Sequence, residues 1–222
     1  MKHRIFALSE TSATIELGSK IDPDVNRHAI GIAQFLSDHP FPGFIEAVPA
    51  YSSVTVFFDL MEVRDVANAS AHEFVCARLE EASRMAIYIE PDDTKEIEIP
   101  FTVGKECSLD LGVVAAEKGI SEQEVIEIFI SRPYRVYMLG FLPGFAYMGG
   151  VDERISVARK ASPRLKIPAG SVAIAGSQAG IYSLPSPGGW QILGRTDVDL
   201  FSPTKKVPCL FSPGDTVRFV LK

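Results

Sequence analysis

The sequence predicts a small α+β unit followed by a mainly β barrel. Three observations carry this reading. Up to about residue 90, strand-like alternation and helical periodicity take turns. From Pro133 onward, short β-rich runs are punctuated by nine of the 15 prolines and 11 of the 17 glycines, which is how strands joined by tight turns look in a barrel or sandwich. Finally, 222 residues that are 46% hydrophobic and 23% charged suit one large or two small globular domains. The expected division is 1–90 and 91–222.

The elements follow in order. RIFALSETSATIEL reads as two short strands around a polar turn at Ser9 to Ser12. Residues 22–36 read as a helix: Asp22 can cap, Pro23 suits the first turn, and Val25, Ala29, Ile32, Ala33 and Leu36 share a face. HPFPGF ends it. AVPAYSSVTVFFDL reads as one strand with Val54, Val56 and Phe58 on one side. Residues 70–85 return to helix, with Ser70 and Glu73 as a capping box. AIYIE closes the unit as a strand, and EPDDTKE leads onward. IEIPFTV is a strand, 108–118 a short helix stopped by Gly119, and SEQEVIEIFISR a second helix boxed by Ser121 and Glu124. The later strands are YRVYML, SVAIAG, GIYSL, WQILGRT and TVRFVL.

Several function classes are disfavoured. A net charge of −6 gives nucleic-acid binding no whole-chain electrostatic support. No apolar run approaches the roughly 20 residues of a membrane helix, and Ser9, Glu10 and Thr11 interrupt the apolar start, so a cytoplasmic location is expected. Cys76, Cys107 and Cys209, with His3, His28, His39 and His72, show no ligand spacing, and no metal is expected. Phosphate-loop, dinucleotide and nucleophile-elbow motifs are missing from the sequence.

One feature rises above this background. Residues 155–196 contain no Asp or Glu but hold Arg159, Lys160, Arg164, Lys166 and Arg195. Over 132–196 there are eight cations and two anions in an otherwise acidic chain. Basic groups gathered in a cleft attract carboxylate or phosphate, and the guanidinium fork can grip two oxygens at once. Against this, glycine- and proline-rich loops are poor in acids anyway, Gln178 and Ser186 can simply satisfy turns, and Tyr147, Tyr182 and Trp190 can be core aromatics.

The stretches YRVYMLGFLPGFAYMGG, SPRLKIPAGSVAIAGSQAGIYSLPSPGGWQILGRT and LFSPGDTVRF resemble the allophanate hydrolase subunit 1 family. That family includes the B-type component of 5-oxoprolinase, the kinase inhibitor KipI and part of the carboxyltransferase domain (subdomains C and D) of urea carboxylase. The resemblance covers nearly the whole length. It implies a small α+β domain followed by a cyclophilin-like β-barrel. It also implies a heteromeric complex with a companion C-type component and a further A-type component, in which ATP hydrolysis drives the opening of 5-oxoproline, or a related small amide, to glutamate. The alternatives it carries are a KipI-type protein that inhibits a sensor histidine kinase and a component of an allophanate hydrolase or urea carboxylase. The chain departs from the family pattern at VGKECSLD, at Phe129 where a histidine is usual, and at Ala179 where a threonine is usual. Arg164, Gln178, Ser186, Trp190 and Arg195 match.

Together these readings lead us to expect a small anionic substrate bound by Arg164, Gln178, Tyr182, Ser186, Gly188, Gly189, Trp190 and Arg195. Gly188 and Gly189 permit backbone angles that other residues avoid and expose bare N–H groups, and Trp190 can then form a rigid wall. Arg164 and Arg195 are expected to clamp the anion, with Gln178 and Ser186 orienting its amide or acyl part. In a regular strand Arg195 lies on the opposite face from Trp190, so a bulge at Gly194 is expected to realign them. No catalytic nucleophile is identified, and any rate gain would come from positioning and charge.

Overall fold

The computed structural model describes residues 3–67, 70–86 and 94–222. Its packing divides into two compact units, Met1–Asp93 and Thr94–Lys222. The strand expected over AIYIE lies, beyond Ala86, outside the described residues, as does most of the EPDDTKE connection.

The first unit runs β1 (Arg4–Ser9), β2 (Ser12–Glu16), α1 (Pro23–Asp38), β3 (Phe44–Pro49), β4 (Ser53–Phe58), α2 (Leu60–Val66) and α3 (Ala71–Met85). Its four strands form an antiparallel sheet in the order β1-β2-β4-β3. The helices begin where the caps say. Asp22 accepts from the N–H groups of Asp24 and Val25 ahead of α1, and Ser70 with Glu73 forms a complete capping box on α3. Alternation along the strands buries Ile15, Val54, Val56 and Phe58 against Ile32, Leu36, Val75 and Leu79 of the helices.

Two expectations need correction here. The stretch expected as one strand over 47–60 is a hairpin, because the chain reverses between Pro49 and Ser53 and Ala50 donates to the Ser53 carbonyl. A seven-residue helix, α2, follows at once, capped by Asp59, and is too short to show a helical period in sequence.

The second unit runs β5 (Glu96–Phe101), α4 (Leu111–Lys118), α5 (Glu122–Ile130), β6 (Tyr134–Leu139), β7 (Ala146–Gly149), β8 (Arg164–Ile167), β9 (Ser171–Ala175), β10 (Gln178–Ile181), β11 (Ser186–Gly188), β12 (Gln191–Arg195) and β13 (Thr216–Leu221). Seven strands form one sheet in the order β12-β9-β10-β7-β6-β13-β5. Neighbours are antiparallel except β13 and β5, which are parallel. The two edge strands meet at a seam: Thr102 N–H donates to the Arg195 carbonyl at 2.7 Å and Arg195 N–H returns a bond at 3.0 Å. The sheet is thus a nearly closed barrel, which hides the backbone edges that an open sheet would expose. The short strands β8 and β11 pair separately as a two-stranded ribbon.

Strand alternation divides the barrel side chains into two sets. Ala146, Met148, Val172, Ile174, Ala179, Ile181 and Leu193 join the main core with α4 and α5. Phe145, Ala173, Ala175, Tyr182, Trp190 and Ile192 form a second, largely aromatic cluster. Phe129 and Ala179, the two departures from the family pattern, both belong to the main core and are fully buried. Phe129 packs against Phe101, Tyr134 and Phe219 at centroid distances of 4.8–5.9 Å. No helix among the described residues is long and apolar enough to cross a membrane.

Candidate functional site

A cavity of about 200 Å³ opens over the second cluster, lined by Phe141, Phe145, Tyr147, Arg159, Pro163, Tyr182, Pro187, Gly188, Gly189 and Trp190. Its walls come from places where strands begin or end. Phe145 and Tyr147 stand at the start of β7, Tyr182 follows β10, and Trp190 precedes β12. The rings meet edge to face: Phe145 lies 5.6 Å from Trp190 and 5.4 Å from Tyr182, and Tyr147 lies 5.8 Å from Trp190. This geometry sets the positive edge of one ring against the negative face of the next and makes rigid walls.

Polar groups are few and fixed. Burial pushes the Tyr182 hydroxyl above the ordinary tyrosine value, and the neighbouring Trp190 backbone and the charge of Arg159 only partly offset this. Burial likewise raises Tyr147, again against the pull of Arg159. Both phenols therefore remain protonated donors at neutral pH. Arg159 is exposed at the cavity rim. Among the described residues no carboxylate forms an ion pair with it.

Four of the residues expected from sequence come together here: Tyr182, Gly188, Gly189 and Trp190. The reason for the glycines differs from expectation, because neither has a positive φ. Gly188 is needed for space, since an added Cβ would lie 2.3 Å from the Tyr182 hydroxyl oxygen and 2.7 Å from Ile167 Cδ1. At Gly189 the nearest atom to an added Cβ is 3.5 Å away, an ordinary contact. The Gly189 carbonyl accepts from Lys160 N–H at 2.7 Å.

The other four lie elsewhere. Arg164 faces inward to a carboxylate of the chain itself. Its two terminal nitrogens each lie 2.7 Å from an oxygen of Asp110, which also takes Lys160 Nζ and the Ile192 N–H, both at 2.9 Å. Asp110 is 1% exposed. Burial alone would raise its carboxyl, but the bonds from Arg164, Ile192 and Lys160 outweigh that and hold it below the ordinary value. The acid-free island thus satisfies an internal anion, and Arg164 does not line the cavity. A bulge does interrupt β12 between Ile192 and Gly194, yet Arg195 stays outside. It is exposed at the barrel seam, with its Cγ over Gly170. Gln178 pairs through its backbone with Ala175 and Gly149, and the buried Ser186 donates to the neighbouring Pro187 carbonyl. Sequence reasoning missed Arg159 as the cavity cation and Phe141 as a wall. The signal available for Phe141 was the FLPGF stretch, whose Pro-Gly pair shows a turn but not the ring it presents.

A broader depression of about 800 Å³ lies in the first unit and includes Ser9, Glu10, Arg64, Ser70 and His72. Its hydroxyls and imidazole are engaged locally: Ser70 caps α3, Ser9 Oγ sits 2.7 Å from Ser12 Oγ, and His72 Nε2 lies 3.3 Å from Cys76 Sγ. The aromatic cavity is the better candidate, being compact and walled by rings that hold one another edge to face around a rim cation.

Comparison with known proteins identifies relatives of the whole chain. The family model described as carboxyltransferase domain, subdomain C and D, matches residues 3–211. The chain is 40% identical over 223 residues to the 5-oxoprolinase B subunit of Bacillus subtilis (strain 168), covering 99% of this chain and 93% of that protein. It is 39% identical over 217 residues to the 5-oxoprolinase B subunit of Escherichia coli O157:H7, covering 98% and 95%. The crystal structure of TTHA0988 superposes with a TM-score of 0.80 at 33% identity over 100% of this chain, which spans only 40% of TTHA0988. With a match running from residue 3 to residue 211, the chain belongs to the carboxyltransferase domain, subdomain C and D, family.

Proposed function

We propose that this chain is the B-type component of an ATP-dependent 5-oxoprolinase complex, and that the aromatic cavity holds the substrate's lactam ring. The near end-to-end match to proteins named as the B subunit of 5-oxoprolinase carries the reading. The cavity is consistent with it. Apolar rings suit the methylene edge of a small lactam, Arg159 suits its carboxylate, and the Tyr182 hydroxyl is a donor for an oxygen. Among the described residues the cavity lining includes no carboxylate, thiol, serine, imidazole or lysine. The groups that attack the carbonyl or handle ATP then belong elsewhere in the complex, with the companion C-type and A-type components, and this chain is a non-autonomous part of the amidohydrolase. The same reading treats the second unit as a cyclophilin-like barrel, the two units as separate domains and the setting as cytoplasmic.

The test is reconstitution. The chain is mixed with its companion components and 5-oxoproline-dependent ATP hydrolysis is measured. Omitting the chain should abolish turnover. Arg159→Ala should lower kcat/KM for 5-oxoproline by about tenfold or more, as expected for losing one charged hydrogen-bonding partner. Undiminished turnover without the chain would sink the proposed place in the complex. Undiminished turnover with Arg159→Ala would remove the cavity from the substrate site.

A further inference from the structure

Phe141 holds a strained conformation against which, among the described residues, the chain sets only the edge contacts of its ring. Its φ is +68°, and it is the only non-glycine with positive φ among the described residues. The Leu142 N–H bonds back to the Gly140 carbonyl at 2.8 Å, which closes a three-residue turn around Phe141 with the rare, strained sign of φ. A bulky side chain there is a genuine outlier. Burial gives no compensation, because Phe141 is 59% exposed.

The turn sits on a fixed base. Gly140 N–H donates to the Phe145 carbonyl, and Phe145 N–H donates to the Leu142 carbonyl at 3.0 Å. Gly144, at φ +76°, lies so close to the next segment that an added Cβ would be 2.7 Å from Phe201 Cβ and 2.8 Å from the Leu200 carbonyl oxygen. From this base the Phe141 ring reaches the cavity margin, nearly perpendicular to Phe145 at 5.6 Å and to Tyr182 at 6.3 Å. Backbone strain and an exposed aromatic, held together at the mouth of a site, mark a group whose compensation arrives with a ligand.

Building on the substrate reading above, we infer that Phe141 is the specificity-determining wall of the cavity. It covers the flat face of a small cyclic carboxylate and so separates ring ligands from open-chain acids of the same charge. Arg159 supplies affinity for the carboxylate common to both classes, and Phe141 supplies the preference for the ring.

Trp190 makes this testable. It is the chain's single tryptophan and a wall of the cavity, so its fluorescence reports occupancy directly. The full chain is titrated with 5-oxoproline and with N-acetylglycine, an open-chain amide acid. The wild type should prefer the ring. Phe141→Gly should bind 5-oxoproline about fivefold to tenfold more weakly, the worth of one aromatic contact, with N-acetylglycine little changed. Phe141→Tyr should restore the preference. The thermal midpoint of Phe141→Gly should be unchanged or raised, because glycine accepts positive φ freely. A lowered midpoint, or an unchanged ring preference in Phe141→Gly, overturns the proposal while leaving the substrate reading intact. A wild-type chain that binds neither ligand, by fluorescence and by calorimetry, overturns the proposal, while the substrate reading stands or falls separately on turnover of the reconstituted complex.

Discussion

A carboxylate with 1% exposure stays charged only if donors surround it, and Asp110 has four, from Arg164, Lys160 and Ile192. Its partners flank the cavity residues Arg159 and Pro163, and Lys160 also holds the Gly189 carbonyl. Asp110→Asn strands two cations in a half-buried place and should cost about 3 kcal/mol at neutral pH, measured by urea unfolding. The sign with pH follows from the depressed carboxyl. Its contribution is complete above the unfolded value of about 3.9 and fades as pH falls through the lower folded value, because the unfolded state then binds more protons. The gap between wild type and variant should therefore narrow in acid. A gap that widened there would contradict the assignment. None of this is legible in sequence. Arg164 has the pattern of a clamp for an external anion because its true partner lies 54 positions earlier, and nothing in SLDLGV marks Asp110 as more than a helix start. Arg159 counts toward the charge island but has no local feature to separate it from Lys160.

Elements with chemical punctuation are legible, and elements without it are not. The Ser70–Glu73 and Ser121–Glu124 boxes are expected from sequence and are both formed. The second starts α5, which delivers Phe129 into the main core. Ser121→Ala should lower stability by about 1 kcal/mol, while Ser121→Asp should be nearly neutral because an aspartate also caps and favours a helix N-terminus; paired thermal melts decide this. Equal losses in both variants would mean that α5 does not depend on its cap. By contrast, β7, β8 and β11 have four, four and three residues, too few for alternation to show. The bulge in β12 is expected from the need to reconcile Trp190 with Arg195. It forms, but the barrel seam with Thr102 fixes Arg195 outside the cavity. A sequence pattern gives the face of a residue within its strand, whereas the seam depends on where two distant strands meet.

At the scale of the whole molecule, each unit has its own apolar core. One core runs from Ala13 to Ala86, and the other two clusters lie wholly between Ile99 and Phe219. The barrel seam, the Asp110 cluster and the bonds that Asp215 accepts from Lys95 and Ser212 all lie within the second unit. Its stability should therefore come mainly from contacts internal to it. Trp190 belongs to this unit alone, while helices and strands of both units contribute to circular dichroism. If the units unfold as separate domains, tryptophan fluorescence and far-ultraviolet dichroism should give different urea transitions, a failure of the coincidence that a single cooperative unit must show. A fragment of residues 94–222 should then reproduce the fluorescence transition of the full chain. Coincident transitions in the full chain, together with a fragment that does not fold, would show that the two cores stand or fall together and would overturn the division into domains.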